Sequence, residues 1–385
     1  MNRLTGSPTL LQAKGKGRRA PILREASFKD FEQIGALEAR YGLTAAPSYE
    51  EWTHLWLGNP LYRELQSSWS IGWVLETEDS RIVGSLGSIP RSYVFEGKPV
   101  VAATSRGWVA DPEFRSASLM LLDQLVHHAG ADLFLTNTNS AASTAAVSAL
   151  GCDRVPVGLW DEYVFWITNH RGYCRRFLTR KGVPLAGLLS YPMGAAISVK
   201  DWMFHPALRP SDVQVEMCST FDERFDEFWG ELRRRDQQVL LAVRTREVLD
   251  WHYKYALARG RVWIATVVDG PGLAAYAIFD KKEYPGGFTQ VRLVDFQSLD
   301  DGTGLLPPLL FTVLRKCRKE GVQTLVNIGR WLEQGEWVAA VAPYRRRLPA
   351  WVYFYRAIDP GLADSLRDRA VWAPSLYDGD ANLLR

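Results

Sequence analysis

Gly107-Trp108-Val109-Ala110-Asp111-Pro112-Glu113-Phe114-Arg115-Ser116 is the stretch on which the fold is decided. Residues 107–110 read as a strand. Asp111-Pro112 must end it, because proline has no amide to pair and drives its predecessor away from the helical region. The chain then turns into a helix expected over 116–129. The first amides of such a helix have no intrahelical carbonyl and carry positive partial charge, a geometry that can cradle an anion such as a diphosphate.

Working outward, the surrounding segments alternate helix and strand. Phe28, Phe31, Ile34, Leu37 and Tyr41 recur at steps of three and four, predicting a helix over 28–41 with Ser27 as its cap. Strands are expected over 70–76 and 81–89, then 92–95 and 100–104 around a turn at Glu96-Gly97-Lys98. Beyond the central stretch come a short apolar strand over 132–136 and an alanine-rich helix over 140–150 stopped by Gly151. Residues 158–210 show no regular period and read as an inter-domain segment. The same order then returns: helices over 222–235 and 245–258, strands over 262–268, 274–280 and 290–298, a helix from 306, and strands over 324–328 and 352–355. Leu306, Leu309, Leu310, Val313, Leu314 and Cys317 give that helix the clearest apolar face in the chain, with Pro307 and Pro308 in its first turn.

A chain of 385 residues exceeds one ordinary core, and two units of like order argue for a duplicated α/β fold with mixed sheets. The expected divisions are a disordered basic tail over 1–20, a first domain over 21–157, the segment 158–210, and a second domain with a carboxy-terminal extension over 211–385. Met1 to Arg24 holds six bases and no acid, and removing those six from the net +3 leaves the rest at −3. A mildly acidic body is poor material for the phosphate backbone of nucleic acid, so no nucleic-acid partner is expected. Arg233-Arg234-Arg235 and Arg345-Arg346-Arg347 are too short to change this. No run is long and apolar enough to span a bilayer. The tail has no apolar signal stretch, and the four scattered cysteines read as reduced core thiols, so the expected location is cytoplasmic. No metal-ligand spacing occurs. The 15 tryptophans fill cores or line a cleft where a ring stacks on a sugar or flat ligand.

The central stretch resembles the core motif of the GNAT acyltransferase superfamily, a V-x-P-x-[YF]-[RQ] strand end leading into a coenzyme A-cradling loop. Pro112, Phe114 and Arg115 match it, with Ala110 in place of valine. Asn139, Ala142, Ala146 and Gly151-Cys152 resemble the family's later N-x-x-A segment. The likeness covers 21–157 and recurs more weakly over 212–356. Leu249-Asp250-Trp251-His252-Tyr253 and Asp378-Gly379-Asp380 resemble elements of tandem GNAT-like proteins linked to exopolysaccharide synthesis.

The resemblance implies two GNAT-like folds in tandem and an N-acyltransferase taking acetyl-CoA or another acyl-CoA as donor, without a metal. The acceptor it implies is an amine, an amino sugar on its way into a polysaccharide being the class suggested. Trp108, Val109, Ala110, Arg115, Ser116, Ala117 and Ser118 would line the donor site, with Asn137 and Asn139 on the donor's arm. Glu113 and Asp111 are the candidate bases. The asparagines serve equally as strand-end caps, and the two acids as solvated loop residues. Where the family loop has glycines this chain has Ser118 and Met120, and its usual general-acid tyrosine is absent near Val147. The corresponding second loop, Leu299-Asp300-Asp301-Gly302-Thr303-Gly304, sets two acids where a phosphate would sit, which reads as a chain turn and helix cap. Two other readings remain: a FemAB-like aminoacyl transferase, which would need a basic groove for tRNA, and a non-catalytic binding protein that kept the fold.

Overall fold

The computed structural model describes residues 20–379 apart from 67, 140, 206, 207, 210 and 349–351. The basic tail before residue 20, the side chain of Ala142 and Asp380 therefore lie outside the described residues. The first stretch runs β1 (Ile22–Glu25), α1 (Phe31–Arg40), α2 (Tyr49–Leu57), α3 (Pro60–Leu65), β2 (Gly72–Glu76), β3 (Ile82–Phe95), β4 (Lys98–Ala110), α4 (Leu119–Val126), β5 (Leu133–Asn139), α5 (Ala141–Ala149) and β6 (Asp153–Arg154). Next come β7 (Leu159–Ile167), α6 (His170–Arg180) and α7 (Ala186–Phe204). The remainder is β8 (Val215–Cys218), α8 (Glu223–Arg235), β9 (Leu241–Ala242), α9 (Arg246–Ala258), β10 (Val262–Asp269), β11 (Gly272–Tyr284), β12 (Phe288–Ser298), α10 (Leu306–Lys319), β13 (Thr324–Arg330), α11 (Leu332–Val341), β14 (Tyr344–Arg347), β15 (Val352–Ala357) and α12 (Pro360–Ser365).

Two mixed sheets result. One has the order β1-β2-β3-β4-β5-β15-β6, with β9 added to β3; the other is β14-β7-β13-β12-β11-β10-β8. Sheet membership does not follow chain order. Strand β7 leaves the first half to pair with β13, and β15 returns from the far end to pair with β5. The two sheets share one apolar core. Tyr93, Val100, Leu133 and Tyr353 of the first meet Ile264, Ile278 and Val294 of the second, together with α8 and α9.

Several sequence expectations change in detail. The four short strands expected over 81–110 are two long ones. Their hairpin closes on Glu96 and Gly97, both in the left-handed region at φ 51° and 73°, the two-residue turn whose twist matches the strands. Pro90 sits within β3, since this strand also pairs only briefly with β9. The helix expected from 116 begins at Leu119, because 115–118 is a turn. The segment 158–210, read as irregular, holds β7, α6 and α7: mixed aromatics and arginines hide a strand that alternates between two covered faces. Helix α10 buries all six residues of its predicted face, and its two prolines fall at the start.

Candidate functional site: two strand splays and the polar centre between them

In the first sheet the parallel pairing of β4 with β5 covers Ala102 to Thr104 against Leu133 to Leu135, and no further. Just beyond, β4 carries one residue too many. Ser85 pairs with Val109 but Gly87 pairs with Arg106, so Gly107 and Trp108 together face Leu86. This bulge bends β4 away from β5 and opens a wedge between them. Gly107 adopts φ +67°, and a Cβ there would lie 2.2 Å from Glu38 Oε1. Glu38 comes from the buried face of α1 and takes a hydrogen bond of 2.6 Å from the Arg106 guanidinium. Burial raises the Glu38 carboxyl pKa, and Arg106 only partly opposes it.

The residues expected to hold a donor lie along this wedge and its loop. Trp108 donates its indole N–H to the Ser118 carbonyl at 3.3 Å, and Val109 is buried. Arg115 and Ser116 are exposed and Ala117 half-buried. Ser118 turns inward, its hydroxyl donating to the Arg115 carbonyl at 2.7 Å, and Met120 is exposed on α4. The amides of Ser118, Met120 and Leu121 donate to the carbonyls of Phe114, Ala117 and Ser118. Asp111 accepts from Arg40 at 3.0 Å, Arg81 at 3.2 Å and the Tyr41 hydroxyl at 2.8 Å, which ties the strand end to α1. Glu113 is exposed in the short turn Pro112–Phe114. Asn137 donates to the Asp378 carbonyl at 2.6 Å and Asn139 to the Val352 carbonyl at 3.1 Å, so both face segments from the far end of the chain.

The second sheet repeats the device. Strand β12 pairs in parallel with β13 only from Gln290 to Arg292, and then Val294 is the extra residue between Leu293 and Asp295. This wedge is occupied. The Leu376 amide donates to the Val294 carbonyl at 3.0 Å, and Trp331 donates to the Pro374 carbonyl at 2.5 Å. The chain's own last described residues therefore lie in the second wedge and continue through Asp378 to Asn137 in the first.

Between the sheets this tail meets a buried polar centre. Arg244 and Asp295, both essentially inaccessible, form a two-point ion pair at 2.8 and 3.1 Å, with Asp378 at 3.6 Å. Burial works to raise the Asp295 pKa, but the paired guanidinium outweighs it and holds the group below the usual range. For Asp378 burial prevails and the pKa is raised. Arg91 donates to the Tyr377 carbonyl at 2.9 Å and contacts His252 Nδ1 at 2.7 Å. Arginine can only donate, so Nδ1 accepts and the neutral ring carries its proton on Nε2. Burial, then Arg91, lowers the His252 pKa well below the ordinary value. His252 Nε2 and the hydroxyls of Tyr253 and Tyr276 are buried without hydrogen-bond partners among the described residues. Two cavities open beside Trp251: one of about 180 Å³ reaching Arg91, Glu64 and Tyr377, the other of about 90 Å³ reaching His54, His252 and Tyr255.

No family model matches the sequence, and no curated protein matches it. Among solved structures, the chain is similar to a GCN5-related N-acetyltransferase from Kribbella flavida, at 13% identity and TM-score 0.52 over 88% of this chain and 71% of that one. It is similar to Saccharomyces cerevisiae N-myristoyltransferase with bound myristoyl-CoA, at 10% identity and TM-score 0.52 over 92% of this chain and 90% of that one. A probable N-acyltransferase from Enterococcus faecalis V583 is similar at 11% identity and TM-score 0.52, over 88% and 72%. The chain has a tandem GNAT-like fold.

Within this tandem GNAT-like fold, sequence reasoning missed Glu38, Arg91, Arg244 and Asp295. Glu38 carried a signal, an acid one turn beyond Ile34 on the apolar side of α1. Asp295 sits in the apolar run of β12, another local signal, but nothing near Arg244 or Arg91 announces a partner 51 or 286 residues away. The remnants around Trp251 and Asp378, distant in sequence, do come together: the His252 and Tyr377 rings lie 4.9 Å apart. Cys152, Cys174 and Cys317 are buried free thiols, and burial pushes Cys152 and Cys317 up to about 12. Among the described residues no group of acids, histidines and cysteines is placed to hold a metal, and no helix is long and apolar enough to cross a membrane.

Proposed function

We propose that the protein is an acyl-CoA-dependent N-acyltransferase whose donor enters the first wedge and whose acceptor amine approaches through the cavities beside Trp251. The observation that carries this reading is the unequal use of two like wedges: the chain's own tail lies along the bulge of one and reaches the other at Asn137 on β5, while the β4 side of that other wedge leads into the loop 111–118. Attack of an amine on a thioester asks mainly for positioning and carbonyl polarisation, which strand amides at a bulge can supply. A proton must still leave the ammonium. Asp111 is engaged by two guanidinium groups and a phenol, whereas Glu38 faces one guanidinium, Arg106, and burial beside the bulge still raises its pKa, so we assign the base to Glu38, with Glu113 as the rival. The amino-sugar acceptor and polysaccharide role stay within this proposal. Their support is the aromatic lining of Trp251 and Tyr255, which suits a sugar face.

One observation favours a second reading, a non-catalytic binding protein: several loop amides that a diphosphate would need are spent inside the turn. Calorimetry with acetyl-CoA and myristoyl-CoA on wild type and Arg115→Glu separates the two. The proposal expects binding that weakens at least tenfold in the variant, and turnover of an amine that falls at least a hundredfold in Glu38→Gln but little in Glu113→Gln. Equal affinity in both proteins would place the donor elsewhere, and binding without turnover of any amine would favour the second reading.

A further inference from the structure

Helix α7 is built the wrong way round for a surface helix. Its inner edge is Ser190, Gly194, Ile197 and Asp201. A Cβ on Gly194 would come within 3.0 Å of the Arg171 backbone, so α6 and α7 pack closely, and Asp201 meets His170 at 2.8 Å and the Tyr344 hydroxyl. The opposite side, normally polar, is apolar instead. Leu188, Tyr191, Val199, Trp202 and Met203 stand in solvent there, and Phe204, in line with Ile197 and Asp201, is exposed at the helix end, Trp202 at 84% and Phe204 at 68% exposure. The end of the helix is not packed down either. A cavity of about 710 Å³ lies between Trp202, Met203 and Phe204 on one side and His170, Leu314 and Arg318 on the other. A patch of this kind on a folded chain marks an interaction surface.

Charge decides what it meets. Residues 163–200 contain Arg171, Arg175, Arg176, Arg180, Lys181 and Lys200 and no acid at all. Arg171 lays its guanidinium 3.6 Å from the centre of the Tyr191 ring, which fixes a cation at the rim of the apolar face. A second copy seated on this face would present the same basic hairpin, in which residues 163–200 hold no acid, so the face offers itself no charge complement. An anionic lipid surface offers both halves of the match: headgroups for the arginines and acyl-chain boundary for the apolar side. At 19 residues, about 28 Å, the helix can lie along such a surface.

We infer that the α6–α7 hairpin docks the protein on an anionic membrane surface, with α7 lying in the interface and α6 binding headgroup phosphates. This does not depend on where an acyl donor binds. The test is co-sedimentation of the full chain with vesicles of phosphatidylcholine, with and without phosphatidylglycerol. Wild type is expected to bind the anionic vesicles and to release as salt rises. Trp202→Asp with Phe204→Asp should weaken binding at least tenfold. Arg171→Glu with Arg175→Glu should weaken it by roughly fivefold or more for each site changed. All four positions are exposed, so melting temperatures should match wild type, confirming that folding is intact. Failure of wild type to bind overturns the inference. So does binding that survives both variants, which would belong to the basic residues 1–24. A wild-type dimer in sedimentation velocity that becomes monomeric in Trp202→Asp with Phe204→Asp would also overturn it, making the face a self-interface.

Discussion

The two wedges are one backbone device put to different ends. Each forms where a central strand gains a residue shortly after its parallel pairing stops, at Gly107–Trp108 in β4 and at Val294 in β12. The local chemistry then diverges. At the first, a left-handed glycine lets a buried glutamate approach the strand, and the loop beyond turns into α4. At the second, Asp295 follows the extra residue and draws in Arg244, which in turn holds the tail by Asp378. A duplicated fold can thus keep its geometry in both halves while burial of one ion pair converts a cleft into a docking slot for the chain's own end.

The sharpest way to break the comparison is to remove the cation that holds the tail. Arg244 is 1% exposed and Asp295 0%, so Arg244→Met leaves two buried carboxylates facing each other uncompensated. A loss of about 3–5 kcal/mol is expected by urea denaturation. Arg244→Met with Asp295→Leu should recover part of it, because it leaves one buried carboxyl, Asp378, whose raised pKa already favours the neutral form, instead of two. A double variant as unstable as the single would show that the pair is not the tail's anchor.

The first wedge should respond differently. Gly107→Val forces a β-branched residue into the left-handed region and its Cβ onto Glu38, at a cost of about 2–3 kcal/mol. It should also weaken acyl-CoA binding at least tenfold. Leu376→Pro is the matched change in the second wedge. It removes the hydrogen bond to Val294 and should cost about 1–3 kcal/mol while leaving donor affinity unchanged. If Leu376→Pro abolished donor binding and Gly107→Val did not, the roles of the two wedges would be reversed.

Much of this architecture was legible locally. The period of α10, the turn at Glu96-Gly97 and the strand stop at Asp111-Pro112 are short-range signals, and the structure repeats them. What could not be read was exchange. Residues 159–167 look irregular because both faces of β7 are covered, so Trp160, Val164 and Phe165 are all buried and the expected alternation disappears. The same applies to the site. The resemblance flagged Trp251-His252-Tyr253 and Asp378-Gly379, but only a tail folded back between the sheets puts His252 beside Tyr377. The resemblance set Ser118 in the lining of the donor site; in the folded chain its hydroxyl serves the Arg115 carbonyl, a partner three residues away that competes locally for any such group.

The smallest expected effect concerns the proton balance of the polar centre. His252 is held neutral in the folded chain by burial and by the Arg91 guanidinium on its Nδ1 side, among Trp251, Tyr253 and Tyr377. Its folded pKa lies below the unfolded value of about 6.5. As pH falls through that value the unfolded chain takes up a proton that the folded chain refuses, so stability is lost on acidification, at up to about 1.4 kcal/mol per pH unit for one group. His54 and His128 are lowered by burial in the same direction and add to the slope. Glutamine at 252 can still accept from Arg91 but cannot titrate, so His252→Gln should flatten the dependence between pH 6.5 and 5.5 by about 1 kcal/mol. An unchanged slope in that variant would mean that water reaches Nε2 in the polar centre and lets the ring protonate in place.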